Sequence, residues 1–277
     1  MPETFRRAFS LRDGGEMPSL GLGVWRVSPG RETETAVGHA LRVGYRLVDT
    51  AKLYRNERSV GKAVRRSGLD RSEVFVTTKL WNSDHGYDAA LRAFGKSQER
   101  LGLGPVDLYL VHWPVEGRRM DSWRALETLL ADGRCRSIGV SNYMTHHLQE
   151  LLDGADVVPS VNQIELSPYN YRSRQAVVEF CRSHGILVEA YSPLTKGRRL
   201  RDPRLVETAT RYGKTPAQLL LRWGYQHDFV VIPKSSNPEH IEENLAIDGF
   251  ALSEADMDRL DGFDQNLATS WDPTGAP

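Results

Sequence analysis

Eight short apolar runs recur along the chain, and each is separated from the next by an amphipathic stretch of helical length. The alternation is typical of parallel β-strands covered by helices, because a strand buried on both faces is apolar along its whole length. The runs lie at 19–24, 45–49, 74–79, 106–112, 136–141, 160–165, 186–191 and 229–234. Eight such units predict an α/β protein, a (β/α)8 TIM barrel.

Local boundary signals agree with this pattern. The tetrapeptide TPAQ at 215–218 is typical of a helix start, with a threonine N-cap, a proline in the first turn and a capping glutamine. Before the first run, Asp-Gly-Gly at 13–15 lies between extended segments and predicts an N-terminal β-hairpin cap at the barrel bottom. No Pro/Gly/Ser-rich or charged run divides the chain, so we expect a single barrel domain over 1–277.

The charge balance excludes several kinds of partner. Basic and acidic residues number 36 each, which gives no global positive field for nucleic acid or an anionic membrane. No apolar stretch is long enough to span a bilayer, and the amino terminus lacks the apolar core of a signal peptide. The two cysteines, Cys135 and Cys181, lie in no metal-ligand or redox spacing. We expect a cytoplasmic monomer whose partner is a small molecule.

Proton-bearing side chains stand at the ends of three successive predicted strands. The second strand ends in Asp49, the third in Lys79 and the fourth in His112, while Tyr54 lies one short loop beyond Asp49. Arginine is the default basic residue here, since only seven of the 36 basic residues are lysine; a lysine at a strand end is therefore mildly informative. Because barrel active sites lie at the carboxyl ends of the strands, we expect these side chains to converge on one mouth.

This set suits the protonation of an oxygen that gains negative charge. Tyrosine is a reluctant acid with a pKa of about 10, but a neighbouring ammonium stabilises the phenolate and lowers that pKa. Lys79 can supply the charge, and Asp49 can hold the lysine charged and oriented. Hydride attack on a carbonyl needs such a donor, with Tyr54 as general acid, His112 orienting the carbonyl and a cofactor supplying the hydride.

Each of these residues also has a structural interpretation when taken alone. An aspartate after a strand is usually a turn or helix-capping residue, and a strand-end lysine usually pairs with a surface acid. A single tyrosine or histidine is more often a packing residue. Their joint occurrence at successive strand ends favours the catalytic interpretation.

Three longer motifs resemble the signatures of one enzyme family. The stretches GYRLVDTAKLYRNERSVG at 44–61, RSIGVSNY at 136–143 and IPKSSNPEHIEEN at 232–244 are similar, in this order, to the three signatures of the aldo-keto reductases. The likeness covers nearly the whole chain. The short loop after HWP makes the chain similar to the bacterial branch that contains the diketo-gluconate reductases. The resemblance implies that Asp49, Tyr54, Lys79 and His112 form the catalytic tetrad.

The resemblance also implies an extended nicotinamide dinucleotide bound without a Rossmann glycine-rich loop. No predicted strand is followed by GxGxxG, which agrees with that mode of binding. The implied contacts are Ser141, Asn142 and Gln163 to the carboxamide, Tyr191 to the nicotinamide ring, and Ser192 and Leu194 to the pyrophosphate. The alternatives are that Ser141 and Asn142 only cap the next helix and that Tyr191 only packs.

The other end of the cofactor site has a physical argument of its own. Asn237 is a good N-cap and Pro238 a good first helical residue, so a helix amino terminus begins beside Lys234 and Ser235. Its free N–H groups and dipole favour a phosphate, which argues for NADPH. The alternative is that Lys234 is a solvated charge. The third motif adds three residues to this end of the site: Ser236, Glu243 and Asn244.

The third motif departs from the family at His240, where an arginine is usual. Histidine is mostly neutral at pH 7 and offers one donor, whereas arginine carries a fixed charge and several donors. We therefore expect NADPH to be favoured and NADH to be accepted to a measurable degree.

Tryptophans follow several of the predicted strands. Trp25, Trp81 and Trp113 come after the first, third and fourth strands, and Trp271 lies in the carboxy-terminal tail. They predict an aromatic wall for the apolar part of a carbonyl substrate, although a single strand-end tryptophan is often core packing.

Two other functions compete with a carbonyl reductase. A metal-dependent hydrolase would need a histidine ligand cluster at the strand ends, and none of the eight histidines has that spacing, so we expect no metal. A dinucleotide-binding sensor or regulatory subunit with little turnover is the second alternative. The intact set of Tyr54, Lys79 and His112 argues against it.

Overall fold

The computed structural model describes residues 7–277; residues 1–6, the start of the expected domain, lie outside the described residues. A two-stranded antiparallel hairpin, β1 Ala8–Ser10 and β2 Glu16–Pro18, precedes a sheet of eight parallel strands. These strands are β3 Leu22–Gly23, β4 Leu47–Asp49, β5 Phe75–Leu80, β6 Val106–Val111, β7 Cys135–Ser141, β8 Val161–Glu165, β9 Leu187–Tyr191 and β10 Val230–Ile232. All eight predicted strands are present.

The sheet closes into a barrel between β3 and β10. The strands are paired in sequence order, and parallel bridges join Leu20 to Val231 and Gly23 to Lys234. The predicted run at 19–24 is assigned as a strand only at Leu22–Gly23, because its remaining pairing consists of such isolated bridges. A Cβ at Gly21 would lie 2.5 Å from Leu47 Cγ, so glycine permits this close approach of the first strand.

Helices cover the outside of the barrel. They are α1 Arg31–Val43, α2 Glu57–Arg66, α3 Tyr87–Leu101, α4 Arg119–Ala131, α5 Thr145–Leu152, α6 Tyr171–Ser183, α7 Pro203–Arg211, α8 Pro216–Gln226, α9 Pro238–Leu245 and α10 Glu254–Asp261. The capping box predicted at α8 is present, since Thr215 and Gln218 exchange side-chain and backbone hydrogen bonds. Within residues 7–277, no helix combines the length and the apolar character that a membrane span requires.

The hairpin covers one end of the barrel. Leu11 and Met17 pack in one apolar cluster with Leu47, Val161 and other residues of the barrel strands. This confirms the predicted (β/α)8 barrel with its hairpin cap. Because the bottom is sealed by apolar side chains, the polar strand ends at the opposite face form the accessible mouth.

Candidate active site

The predicted catalytic residues lie together at the carboxyl end of the barrel. Lys79 Nζ is 2.7 and 2.6 Å from the two carboxylate oxygens of Asp49, and it donates to the Thr50 carbonyl oxygen at 3.0 Å. The same nitrogen lies 3.4 Å from the hydroxyl oxygen of Tyr54. Tyr54 ends a short 3-10 helix that follows β4, and its ring lies against those of Trp25 and His112.

Burial makes the pairing of Lys79 with Asp49 necessary. The lysine is 0% exposed and the aspartate 2% exposed. Removing two charges from water costs several kcal/mol for each ion, and close pairing with further hydrogen bonds is what offsets that cost. The pair therefore places a positive charge, in a fixed position, next to the Tyr54 hydroxyl.

The pKa of Tyr54 differs from our expectation. Burial, together with the carboxyl groups of Asp49 and Glu189, raises the pKa of Tyr54 well above 10. The prediction of a net lowering of this pKa was wrong for this structure, because burial and the two carboxyl groups outweigh the stabilisation that Lys79 gives the phenolate. The phenol therefore holds its proton throughout the neutral pH range.

His112 faces the same mouth as a neutral imidazole. Burial, and then the positive charge of Lys79, lower the pKa of His112 well below 6.5. Its backbone carbonyl accepts a hydrogen bond from Asn142 Nδ2 at 2.9 Å, which fixes the residue at the end of β6. The ring lies edge-on to Tyr54, with centroids 5.9 Å apart. A neutral imidazole carries one N–H, so His112 can donate one hydrogen bond.

Four of the predicted cofactor residues form a connected network beside the tetrad. The Tyr191 hydroxyl donates to Asn142 Oδ1 at 2.9 Å, and Asn142 Nδ2 donates to Ser141 Oγ at 3.0 Å. Ser141 Oγ in turn donates to the backbone oxygen of Gln163 at 2.9 Å. Neither Ser141 nor Asn142 caps α5, whose N-cap is Met144, so the capping alternative does not apply.

Glu189 is a buried member of the site that sequence reasoning missed. Gln163 Nε2 donates to Asp49 Oδ2 at 2.9 Å and to Glu189 Oε2 at 2.7 Å. Burial and the negative charge of Asp49 raise the pKa of Glu189 to about 8. The sequence did contain a signal for this residue, because Glu189 is an acid inside an apolar run. Alternate residues of a strand point to the same face, so Glu189 shares a face with Leu187 and Tyr191, which face the barrel interior.

The predicted phosphate end lies at the start of α9. Asn237 caps the helix by accepting the Glu239 N–H at 2.8 Å, as predicted. Lys234 and His240 are exposed there, and Ser235 Oγ accepts from the Asn237 N–H at 3.1 Å. The helix amino terminus thus begins beside a lysine that is open to solvent.

A carboxylate that we did not anticipate lies at this end. Glu32, in the first turn of α1, has its pKa lowered by hydrogen bonds from Ser28 and Ser236 and by the charge of Lys234. The helix amino terminus therefore does not act alone, because an acid shares the surroundings of Lys234.

The remaining predicted contacts are more dispersed. On α9, Glu243 accepts a hydrogen bond from the Thr215 hydroxyl, and Asn244 is buried. Ser192 and Leu194 lie half-buried in the loop after β9, where Ser192 has a φ of 49°. In the part of the chain that the structure describes, none of these four residues is hydrogen-bonded to the tetrad.

The three tryptophans predicted for the pocket surround Tyr54 and His112. The ring centroid of Trp25 lies 4.8 Å from that of Tyr54, and the centroid of Trp81 lies 5.2 Å from that of His112. Trp113 stacks on His112 at 6.2 Å with an interplanar angle of 11°. Tyr54 and His112 therefore lie beside an aromatic wall.

The carboxy-terminal tail extends this wall. The ring centroid of Trp271 lies 5.0 Å from that of Trp113, and Trp271 is 58% exposed. The buried carboxylate of Glu165 accepts the backbone N–H groups of Thr269 at 2.8 Å and Ser270 at 3.0 Å. Sequence reasoning missed this anchor, because the acid and the tail are about a hundred residues apart in the chain.

Neither cysteine is placed to act as a nucleophile. Both cysteines are free and buried, and burial raises the pKa of each thiol to about 12, so neither is a thiolate at neutral pH. Residues 7–277 contain no group of three or more His, Cys, Asp or Glu side chains arranged to hold a metal ion.

Fold and site together define an oxidoreductase built on a barrel, with a lysine-supported tyrosine beside a neutral histidine. Comparison with known families is consistent with that class. The model of the aldo/keto reductase family matches residues 19–265. The chain belongs to the aldo/keto reductase family and is accordingly an NAD(P)H-dependent carbonyl reductase.

Relatives with named activities cover the chain almost completely. It is 45% identical over 273 residues to the glyoxal reductase of Bacillus subtilis (strain 168), which covers 99% of this chain and 98% of that one. It is 47% identical over 279 residues to the morphine 6-dehydrogenase of Pseudomonas putida, covering 95% and 93%. A crystal structure of a Gox0644 mutant in complex with NADPH is 43% identical, with a TM-score of 0.91 and 98% coverage of both chains.

Proposed function

We propose that this protein uses NADPH to reduce an aldehyde or ketone to the alcohol, with Tyr54 as the general acid. One observation carries the assignment: the Tyr54 hydroxyl lies 3.4 Å from an ammonium that is wholly buried. A phenol in that position can release its proton to a reacting oxygen, because Lys79 is placed to stabilise the phenolate that remains.

The residues present fit the dinucleotide. The amide oxygen of Gln163 accepts no hydrogen bond from residues 7–277, and the half-buried ring of Tyr191 stands beside it at the next strand end. At the far end, exposed Lys234 and the start of α9 suit a 2′-phosphate. When bound, NADPH supplies the hydride. The complex of a related protein with NADPH supports this choice of cofactor.

The side chains at the mouth of the barrel then orient the carbonyl group and protonate its oxygen. His112 donates a hydrogen bond that orients the carbonyl oxygen, and Tyr54 delivers its proton to the same oxygen. Asp49 keeps Lys79 charged and oriented. Delivery of this proton leaves Tyr54 as a phenolate, which must take up a proton from solvent before the next turnover.

The substrate class follows from the aromatic wall and from the relatives. Trp25, Trp81 and Trp113 bury apolar surface, while the tetrad recognises one reactive oxygen. Relatives named for glyoxal and for morphine support carbonyl substrates of more than one size.

We also assign the chain to the bacterial branch similar to the diketo-gluconate reductases, supported by the short connection between β6 and α4 at residues 112–118.

Both cofactors are expected to react, with NADPH preferred. Lys234 and the α9 amino terminus favour the 2′-phosphate, while Glu32 and the absence of an arginine at His240 weaken that preference. We also expect a cytoplasmic monomer; both cysteines are free and buried, which agrees with a reducing compartment.

An absorbance assay tests the function directly. Purified protein is mixed with NADPH and a nitrobenzaldehyde, and oxidation of the cofactor is followed at its nicotinamide absorbance band. We expect aldehyde-dependent loss of NADPH. Tight binding of NADPH without turnover, across several aldehydes and ketones, would instead favour the sensor alternative.

A further inference from the structure

The side-chain amide of Gln163 uses both of its donors within the protein. Its nitrogen carries two hydrogens, and it donates to Asp49 Oδ2 at 2.9 Å and to Glu189 Oε2 at 2.7 Å. Its oxygen accepts no hydrogen bond from the part of the chain that the structure describes. Towards a ligand, Gln163 therefore offers an acceptor.

Glu189 is needed to hold the amide in this orientation. The last torsion of a glutamine side chain is broad and roughly two-fold, so one contact to Asp49 fixes the amide less firmly than two contacts do. Asp49 is also bound through both oxygens to Lys79. A second carboxyl acceptor on β9 locks the nitrogen between the two acids.

The burial of Glu189 is difficult to explain by packing. The residue is 0% exposed, and its Oε1 has no hydrogen-bond partner within residues 7–277. An apolar residue would fill a strand interior without leaving a buried polar atom unpaired. A buried acid with this free-energy cost points to a role in the site.

We propose that Glu189 is a positioning residue for cofactor recognition, holding Gln163 so that its amide oxygen receives an N–H of the nicotinamide carboxamide. The inference rests on the proposed use of NADPH. It predicts that the site discriminates against a nicotinamide analogue whose carboxamide is replaced by a group without an N–H donor.

Equilibrium binding tests this without turnover. Dissociation constants are measured by quenching of tryptophan fluorescence for NADPH and for the reduced 3-acetylpyridine analogue, which has a methyl ketone in place of the carboxamide. The native protein should bind NADPH about threefold to tenfold more tightly than the analogue, the range for one neutral hydrogen bond. Glu189→Leu should bring this ratio close to one, mainly by weakening NADPH binding.

Glu189→Gln is the matched control. Its side-chain oxygen can still accept the Gln163 N–H, so the native ratio should be retained. Circular dichroism checks the fold of each variant, and Glu189→Ala carries the same test if the leucine variant does not fold. An unchanged ratio in the leucine or alanine variant overturns the inference, as does an equal fall in the glutamine variant. Failure of the native protein to bind NADPH would instead overturn the proposed function.

Discussion

Lys79 is wholly buried, yet its ammonium contacts the carboxylate of Asp49, the carbonyl of Thr50 and the hydroxyl of Tyr54. Arginine could not replace it simply, because a planar guanidinium needs more room and presents its donors in a fixed fork. This explains why a chain that otherwise prefers arginine has a lysine at this strand end. The tyrosine and lysine can be tested separately.

Tyr54→Phe should abolish carbonyl reduction and leave NADPH affinity nearly unchanged, because it removes only the proton delivered in the transition state. General acid catalysis typically contributes about a hundredfold or more, which sets the expected fall in kcat. Steady-state kinetics and fluorescence binding measure the two quantities. Retention of more than about a tenth of the native rate would exclude Tyr54 as the acid.

Lys79→Met should eliminate turnover or raise the apparent pKa of the acid limb in the pH-rate profile, since the phenolate loses its neighbouring charge. It also leaves Asp49 buried and unpaired, which should lower the free energy of unfolding by about 3 to 5 kcal/mol. Denaturant unfolding checks the stability. The matched double variant Lys79→Met/Asp49→Asn should recover part of that stability without recovering turnover. An unchanged pH-rate profile in Lys79→Met would show that the lysine is structural.

At the scale of the element, two helix amino termini form the proposed phosphate end of the site. The start of α9 supplies Asn237 and the exposed Lys234 stands beside it, while the first turn of α1 supplies the carboxylate of Glu32. A helix amino terminus attracts anions, and each extra cation or acid near it changes the preference for a phosphate. We therefore expect both elements to influence the preference between NADPH and NADH.

His240→Arg should raise the NADPH to NADH ratio of kcat/KM by about tenfold to a hundredfold, mainly through KM, because a charge-assisted hydrogen bond is worth about 1.5 to 3 kcal/mol. Glu32→Gln should change the ratio in the same direction by removing a negative charge near Lys234. Kinetics with both cofactors provide the measurement, and Glu239→Gln, on the same exposed turn, is a control for general charge. If neither variant changes the ratio, the 2′-phosphate is recognised by other residues, and arginines 198, 199 and 201 are the next candidates.

At the scale of the whole molecule, the buried carboxyl of Glu189 makes the stability of the barrel depend on pH. The Glu189 carboxyl ionises near pH 4.3 in an unfolded chain, whereas burial and Asp49 raise its pKa to about 8 in the fold. Between these values the folded protein binds the extra proton, so the stability of the native protein should decrease as pH rises. Above about pH 8 both states are ionised and this decrease ends.

Glu189→Gln lacks that titration. Its stability relative to the native protein should therefore increase from about pH 5 to pH 8, by at most about 1.4 kcal/mol per pH unit. Urea unfolding at a series of pH values, with Glu239→Gln as an exposed control, measures the difference. A difference that does not vary with pH would mean that Glu189 is ionised throughout the range.

Much of the architecture could be read from local pattern. Apolar runs with helical stretches between them predicted the barrel, because a strand buried on both faces must be apolar along its length. Since the carboxyl ends of all barrel strands meet at one face, position along a strand was enough to bring Asp49, Lys79 and His112 to one mouth. The same argument located the tryptophans beside them.

The sequence pattern could not predict the combined electrostatic effect of charged side chains that lie on different strands. Glu189 and Gln163 lie far from Asp49 in the chain, and their contact exists only after the sheet has closed. The direction of the Tyr54 pKa depends on that closure, because two carboxyl groups and burial together outweigh the one lysine considered from the sequence. Strand order along the chain is local information, whereas the electrostatic field inside a barrel depends on distances that only the closed fold defines.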